Sequence, residues 1–308
     1  MRLLVTGGAG FIGSHFVRRA VANGWRVTVL DDLSTGRAEN LAGLDINSVV
    51  GSVTDPAAVK LAMAEVDTVV HLAALVSVPQ SFSDPGRAVL VNTLGTHNVL
   101  EAARETRISH IVFSSSSAVY GNGVPLPTPE SATSAPISPY GASKLAAENL
   151  VSGYARSFGV PVLILRFFNV YGPGQRPANA DGAVIPAFLD AMRQGRPLFI
   201  DGDGGQSRDF TYVGTVADVL LQAVERRVVH PTPVNLALGT NSTIKDLITA
   251  IADVTGQHPR VQRRPARPGD IRRSEADVRL LTSLFPNVVG IGLRDGLSDT
   301  WRAWDQWT

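Results

Sequence analysis

MRLLVTGGAGFIGSHFVRRAVANGWRVTVLDD, from Met1 to Asp32, is the stretch whose reading decides the fold. RLLVT is a short apolar run, Phe11 to Asn23 carries apolar residues at helical spacing, and RVTVLD is a second apolar run ending in acids. Between the first run and the helix, TGGAGFIG sets Gly7, Gly10 and Gly13 in a pattern satisfying both G-x-x-G-x-x-G and G-x-G-x-x-G. Glycine there permits a tight turn and lets a pyrophosphate approach the backbone, while the helix N-terminus offers N–H donors and a favourable dipole. Asp31 stands 18 residues beyond Gly13, where a carboxylate can bind the adenosine ribose hydroxyls. A glycine-rich turn alone is common. Strand before, helix after and acid at the end of the next strand make this one a dinucleotide site. An acid there repels a 2′-phosphate, so NAD is favoured over NADP.

Working outward, the next segments repeat the alternation. SVVGS, a helix after Asp55, TVVHLA, a helix through Asn98 to Arg104, HIVFSSS, a long helix from Tyr140 to Phe158, and PVLILRF follow in turn. Continuous apolar strands separated by helices imply a parallel sheet covered on both faces, a doubly wound α/β (Rossmann) fold with ligands at the carboxyl ends of the strands. After Phe168 the texture changes to Gly- and Pro-rich loops (NVYGPGQRPANADGA, DGDGGQSRD) between shorter elements, ending in a helix around Leu297 to Trp307. The expected division is 1–170 for the NAD-binding domain and 171–308 for a smaller substrate-binding region, some of which returns to the main sheet.

Composition narrows the function classes. Of 308 residues, 44% are hydrophobic and 18% charged, with net charge +1, so neither nucleic-acid binding nor an acidic tail is indicated. RVQRRPAR (Val261 at its second position) reads as a short solvated or small-anion-binding run. The absence of cysteine removes disulfides, thiolate zinc sites and cysteine nucleophiles together. No apolar run reaches membrane-spanning length, and the N-terminal run is too short for a signal peptide, so a cytoplasmic enzyme is expected. DGDGG (Asp201 to Gly205) has too few ligands for a calcium loop and reads as a turn; no metal is expected.

Two further motifs carry chemistry. SPYGASK sets Tyr140 and Lys144 at i, i+4, on one helix face. A tyrosine base must be deprotonated near pH 7 from an ordinary pKa of about 10, roughly 4 kcal/mol of differential stabilisation. A lysine ammonium one turn away and a positive nicotinamide ring both have the right sign. FSSSSAVYG brings four serines, Ser114 to Ser117, to the end of an apolar strand.

With these motifs in hand, the sequence resembles the extended short-chain dehydrogenase/reductase family, and within it nucleotide-sugar epimerases of the UDP-galactose 4-epimerase type, which act on UDP-glucose or UDP-N-acetylglucosamine. TGGAGFIGSH, VLDDLSTG, HLAA, FSSSSAVYG, SPYGASK, RFFNVYGPGQRP, SRDFTYV and RPGD carry the resemblance over essentially the whole chain. It implies a transient 4-keto sugar and a catalytic set of Ser116, Tyr140 and Lys144, with Ser116 counted back from Val119-Tyr120-Gly121. Ser115 and its neighbours are expected to satisfy the backbone, with Ser114 also bordering the cofactor and Ser117 the sugar.

The resemblance further implies cofactor contacts at Gly7, Gly10, Phe11, Ile12 and Gly13, then at Asp31, Asp32, Ser52 and Val53. Leu72, Ala73 and Ala74 would let the cofactor pass, and Asn92 and Phe167 would complete its site. His71 itself is expected to be a hydrogen-bonded structural residue. On the substrate side, Ser77, Phe168, Asn169, Val184 and Ile200 would line the nucleotide-sugar. Arg208 and Arg267 would clamp its diphosphate through charge-assisted forks, with Asp270 beside them. The family often has Asp after the third strand; here Val50-Gly51-Ser52 stands instead, which weakens the adenine contact or moves it to Asp55.

Four residues after Asp270 lies Ser274, where galactose-restricted members of the family carry tyrosine. A small residue leaves room for an N-acetyl group. The partner implied is therefore a UDP-sugar, either N-acetylated or plain. A nucleotide-sugar dehydratase is the competing enzyme; it needs an acid and a base beside the strand end, where this chain has Ser117-Ala118. A non-catalytic NAD-sensing protein is the other alternative. The family's paired helices, about Pro85–Thr106 and Tyr140–Phe158, suggest a homodimer, with Val99, Leu100, Leu145 and Leu150 serving either the interface or the core.

Overall fold

Seven parallel strands form the central sheet of the computed structural model, which describes residues 1–177, 183–265 and 271–307. In chain order they are β1 (Arg2–Thr6), β2 (Arg26–Asp31), β3 (Asn47–Val50), β4 (Thr68–His71), β5 (His110–Ser116), β6 (Val162–Phe167) and β7 (Val234–Leu236). Their spatial order is β7-β6-β5-β4-β1-β2-β3. The order reverses between β1 and β4, which opens a crevice at their carboxyl ends. Register aligns the chemistry there: Thr6 pairs with His71, His71 with Phe113, and Ser116 with Phe167.

Helices cover both faces. Phe11–Ala22 and Val213–Glu225 pack on one, enclosing a core that includes Phe16, Val17, Val216 and Leu220. Pro56–Ala62, Gly95–Glu105 and Pro139–Phe158 cover the other, around Val99, Leu100, Phe113 and Val151. Val99 and Leu100 are each 1% exposed, so they serve this core. A third core, including Phe188, Leu198, Phe210 and Leu247, holds the later segments together and reaches Phe11 and Ile12 at the start of the first helix.

Local chemistry fixes the ends of the long helix. Ser138 caps it by accepting the Gly141 N–H, Pro139 opens it, and Gly159 closes it at φ 68°. The expected helix Pro85–Thr106 differs in detail. It runs as Pro85–Val89, a wide π turn at Leu90–Leu94, and Gly95–Glu105. The extra residue in that turn lets Asn92 face inward, where its amide bonds both main-chain groups of Leu75. The last helix begins earlier than expected, at Leu293, and breaks at Ala303. Val261–Arg264, from the basic run, forms a parallel pair with Leu198–Asp201.

Candidate active site

The glycines of the first turn do different work. Gly7 adopts φ +70°, and a Cβ on it would lie 2.7 Å from the Ala73 nitrogen at the end of β4. A Cβ on Gly13 would lie 2.2 Å from the Gly7 carbonyl oxygen. Gly10 has an ordinary φ of −73°, and a Cβ there would meet only that same oxygen, at 3.2 Å. Packing demands the first two glycines far more than the third. The space kept clear at Gly10 lies at a helix N-terminus, where a pyrophosphate would approach.

Asp31, ending β2, accepts the Ala9 N–H and the Leu33 N–H, each at 2.9 Å. Burial pushes its carboxyl above the usual range while those bonds pull it back. The carboxylate is thus fixed against the glycine turn. A cavity of about 400 Å³ next to it is lined by Asp32, Ser52, Thr54, Asp84 and Arg87 among others. Asp55 turns to another task, capping the helix Pro56–Ala62 through the Ala57 N–H. The residues present fit a dinucleotide running from this cavity over Gly10 toward the end of β5.

At that end the four serines separate. Ser114 donates to the His71 carbonyl at 3.0 Å. Ser115 is not satisfied by backbone, contrary to expectation: its hydroxyl donates to the Glu148 carboxylate on the long helix. Ser116 caps the next turn by accepting the Ala118 N–H at 3.2 Å. Ser117 starts that turn. Alternation along the strand explains the split, since consecutive side chains face opposite sides of the sheet.

Tyr140 sits in the first turn of its helix, and its N–H donates to the Ser81 hydroxyl at 3.0 Å. Burial pushes its phenol up, opposed by the nearby Ser116 hydroxyl. Lys144, 2% exposed, lies 4.6 Å over the Phe113 ring. Burial pushes its ammonium down to about 8, opposed by Glu148. His71 is neutral, pushed down to about 3 by burial first and Lys144 second. Thr96 donates to the Asn92 carbonyl, so it accepts from His71 Nε2, while Thr6 donates to Nδ1 at 2.6 Å. Both ring nitrogens are satisfied without a charge.

Asn92 is committed within the chain, its remaining amide proton going to Ser143 at 2.9 Å. Leu72 and Ala73 bond to Thr6 through its carbonyl and hydroxyl. Ala74, half-buried, follows them. Val53 is buried against Gly95, and its carbonyl accepts from Asn98 at 3.0 Å. Phe167 ends β6 opposite Ser116. Phe168 is buried, and its N–H donates to Leu236.

The residues expected on the substrate side lie around a buried carboxylate. Asp209 accepts N–H bonds from Leu238 (3.2 Å), Gly239 (3.0 Å) and Ala276 (3.1 Å), and the Thr240 hydroxyl. Its carbonyl accepts the Asn169 amide at 3.1 Å, holding that residue at φ 32°. Asn169, Val184, Ile200 and Arg208 line a cavity of about 620 Å³, with Phe199 and Arg264 stacked 3.5 Å apart in its wall. Ser274 is placed by its N–H to the Ser207 carbonyl at 3.1 Å, beside Arg208. Ser77 caps the short helix Val78–Ser83 near Tyr140. Arg267 and Asp270 lie outside the described residues. In DGDGG, Asp203 pairs with Arg272 at 2.8 Å.

Sequence reasoning passed over Glu148, Arg166, Asp209 and Ser81. Signals existed for three of them: Glu148 repeats the i, i+4 spacing from Lys144, Arg166 interrupts an apolar strand, and Asp209 follows a proposed phosphate ligand. Ser81 had none.

Residues 3–237 match the model of the NAD dependent epimerase/dehydratase family. The chain belongs to that family. It is therefore an NAD-dependent enzyme of the extended dehydrogenase type, and NAD is its cofactor. It is 35% identical over 306 residues to a UDP-glucose 4-epimerase of Mycolicibacterium smegmatis, covering 97% of each chain. Among solved structures it resembles the UDP-N-acetylglucosamine 4-epimerase of Methanobrevibacter ruminantium, in complex with UDP-N-acetylmuramic acid. There the TM-score is 0.94 and the identity 35%, over 100% of this chain and 99% of that one. It also resembles TunA, an NAD-dependent NDP-hexosamine 5,6-dehydratase of tunicamycin biosynthesis, with TM-score 0.90 and 35% identity, over 99% and 98% of the two chains. None of the described helices is long and apolar enough to cross a membrane.

Proposed function

We propose that the protein is a 4-epimerase of UDP-hexoses, interconverting UDP-GlcNAc with UDP-GalNAc and UDP-Glc with UDP-Gal. What supports this reading is Ser116 at the end of β5, Tyr140 and Lys144 one turn apart on the helix packed beside that strand, and Ser117-Ala118 where an eliminating enzyme needs an acid and a base. Bound NAD, held at the Gly7–Gly13 turn and Asp31, would supply the hydride acceptor and donor for the sugar C4. Ser116 bonds the 4-oxygen and passes its proton to Tyr140, which must be phenolate to receive it. The Lys144 ammonium favours that phenolate, and the desolvated surroundings strengthen its effect. Asn169, Arg208, Arg267 and Ser274 hold the nucleotide-sugar while the 4-keto sugar turns over, and Tyr140 then hands the proton back through Ser116. Small Ser274 leaves space beside C2 for an acetamido group.

Incubation with a panel of UDP- and dTDP-sugars, followed by proton NMR of the anomeric region, tests the reading. New anomeric signals of the C4 epimer are expected from both plain and N-acetylated UDP-sugars. The likeness to TunA makes a dehydratase the second reading, and a stable alkene or 4-keto product would establish it instead. A homodimer is proposed with this function; a monomer mass by light scattering at micromolar concentration would refute it.

A further inference from the structure

Behind Lys144 lies a buried ion pair with no part in the steps above. Glu148 stands one turn further along the same helix face, with its side chain 3% exposed. Arg166 of β6 grips it with a fork, Nε to Oε1 at 2.9 Å and Nη2 to Oε2 at 2.8 Å, and Ser115 donates a third bond. Arg166 also covers the Tyr120 ring at 4.6 Å and donates to the Glu130 carbonyl. A buried pair of this kind adds little stability over apolar residues of equal volume. Its location calls for another reason.

Lys144 must carry its proton to favour the Tyr140 phenolate, and burial works against that charge. Among the described residues, the titratable groups on the elements around it are Tyr140 and Glu148 on its own helix and His71 from β4. Burial disfavours the charged form of both Tyr140 and His71. Arg166 from β6, Tyr120 from the turn after β5 and Glu130 from the following loop face the far side of Glu148. Glu148 is the group among these whose charge opposes the desolvation of Lys144. With both carboxylate oxygens taken by Arg166 and Ser115, it cannot draw the ammonium into a direct pair and away from the tyrosine.

We propose that Glu148 is a positioning residue: held in place by Arg166 and Ser115, its carboxylate keeps Lys144 charged without binding it. This rests on the reading of Lys144 as the partner of Tyr140, but its test needs no turnover. The chain has three lysines, Lys60, Lys144 and Lys245, so carbon-13 NMR of Cε-labelled lysine can follow each in the NAD-loaded protein. Loss of one signal in Lys144→Met assigns it. Glu148→Gln should lower the Lys144 midpoint by about one pH unit or more, and Glu148→Asp should restore it to within about half a unit. An unchanged midpoint in folded Glu148→Gln overturns the proposal, because a purely structural carboxylate would alter the melting temperature and not the titration.

Should Arg166, left without its counter-ion, prevent folding, the double variant Glu148→Gln/Arg166→Met replaces it. Its Lys144 midpoint should lie below that of the wild type; a midpoint at or above the wild-type value overturns the idea. A shifted midpoint in a protein inert toward every nucleotide-sugar would sink the epimerase reading and keep this one. An active enzyme with an unmoved midpoint would do the reverse.

Discussion

At the end of the site proposed for oxidation, Ser116, Tyr140 and Lys144 stand on one strand end and one helix face, each oriented by neighbours on regular elements. At the end proposed for the substrate, Asn169, Arg208 and Ser274 come from three separate short segments, near where Asp209 ties the turn at Leu238–Thr240 to Ala276. The first arrangement is rigid because a helix and a sheet cannot change spacing without breaking a ladder of backbone bonds. The second is held by side-chain and main-chain bonds between loops, four of them to the Asp209 carboxylate, and is easily re-cut by changing loops. On the proposed function, chemistry would reside on the scaffold and selectivity on the loops.

The contrast predicts separable damage. Tyr140→Phe should cost at least about 100-fold in kcat, the low end for general acid–base groups, with NAD and UDP-sugar binding intact; near-normal turnover would remove Tyr140 from the mechanism. Asp209→Ala strands three N–H groups and a hydroxyl and should cost on the order of 3 kcal/mol of stability. If the ends are separable, KM for the UDP-sugar rises while NAD content is kept, and a parallel loss of NAD would break the comparison. Both can be read from thermal melts and the absorbance of released cofactor.

Smaller changes sharpen it. Gly10→Ala should fold with a melting temperature near wild type yet bind NAD about tenfold more weakly, a loss of roughly 1.4 kcal/mol, as measured by calorimetry. Equal affinity would mean that the pyrophosphate does not approach that face. Ser274→Tyr should remove activity on N-acetylated sugars and spare the others, since overpacking the acetamido group costs about 1–3 kcal/mol. If wild-type protein turns over only UDP-Glc and UDP-Gal, the gate assigned to Ser274 is absent.

What the sequence determined by itself follows from local and periodic rules. Apolar runs alternating with amphipathic helices required a covered parallel sheet, and Gly7, Gly10, Gly13 and Asp31 marked the nucleotide turn because their spacing is short and backbone-driven. Tyr140 and Lys144 were legible because i, i+4 always shares a helix face. Only the tertiary structure decided that Ser115 serves Glu148, that Arg166 occupies that carboxylate, and that Asp209 joins segments up to 67 residues away. It also decided that Asn92, displaced inward by a π turn, spends its amide on Leu75 and Ser143. A buried polar side chain takes whichever partner folding brings within reach, and no local pattern encodes that partner when it lies on another element.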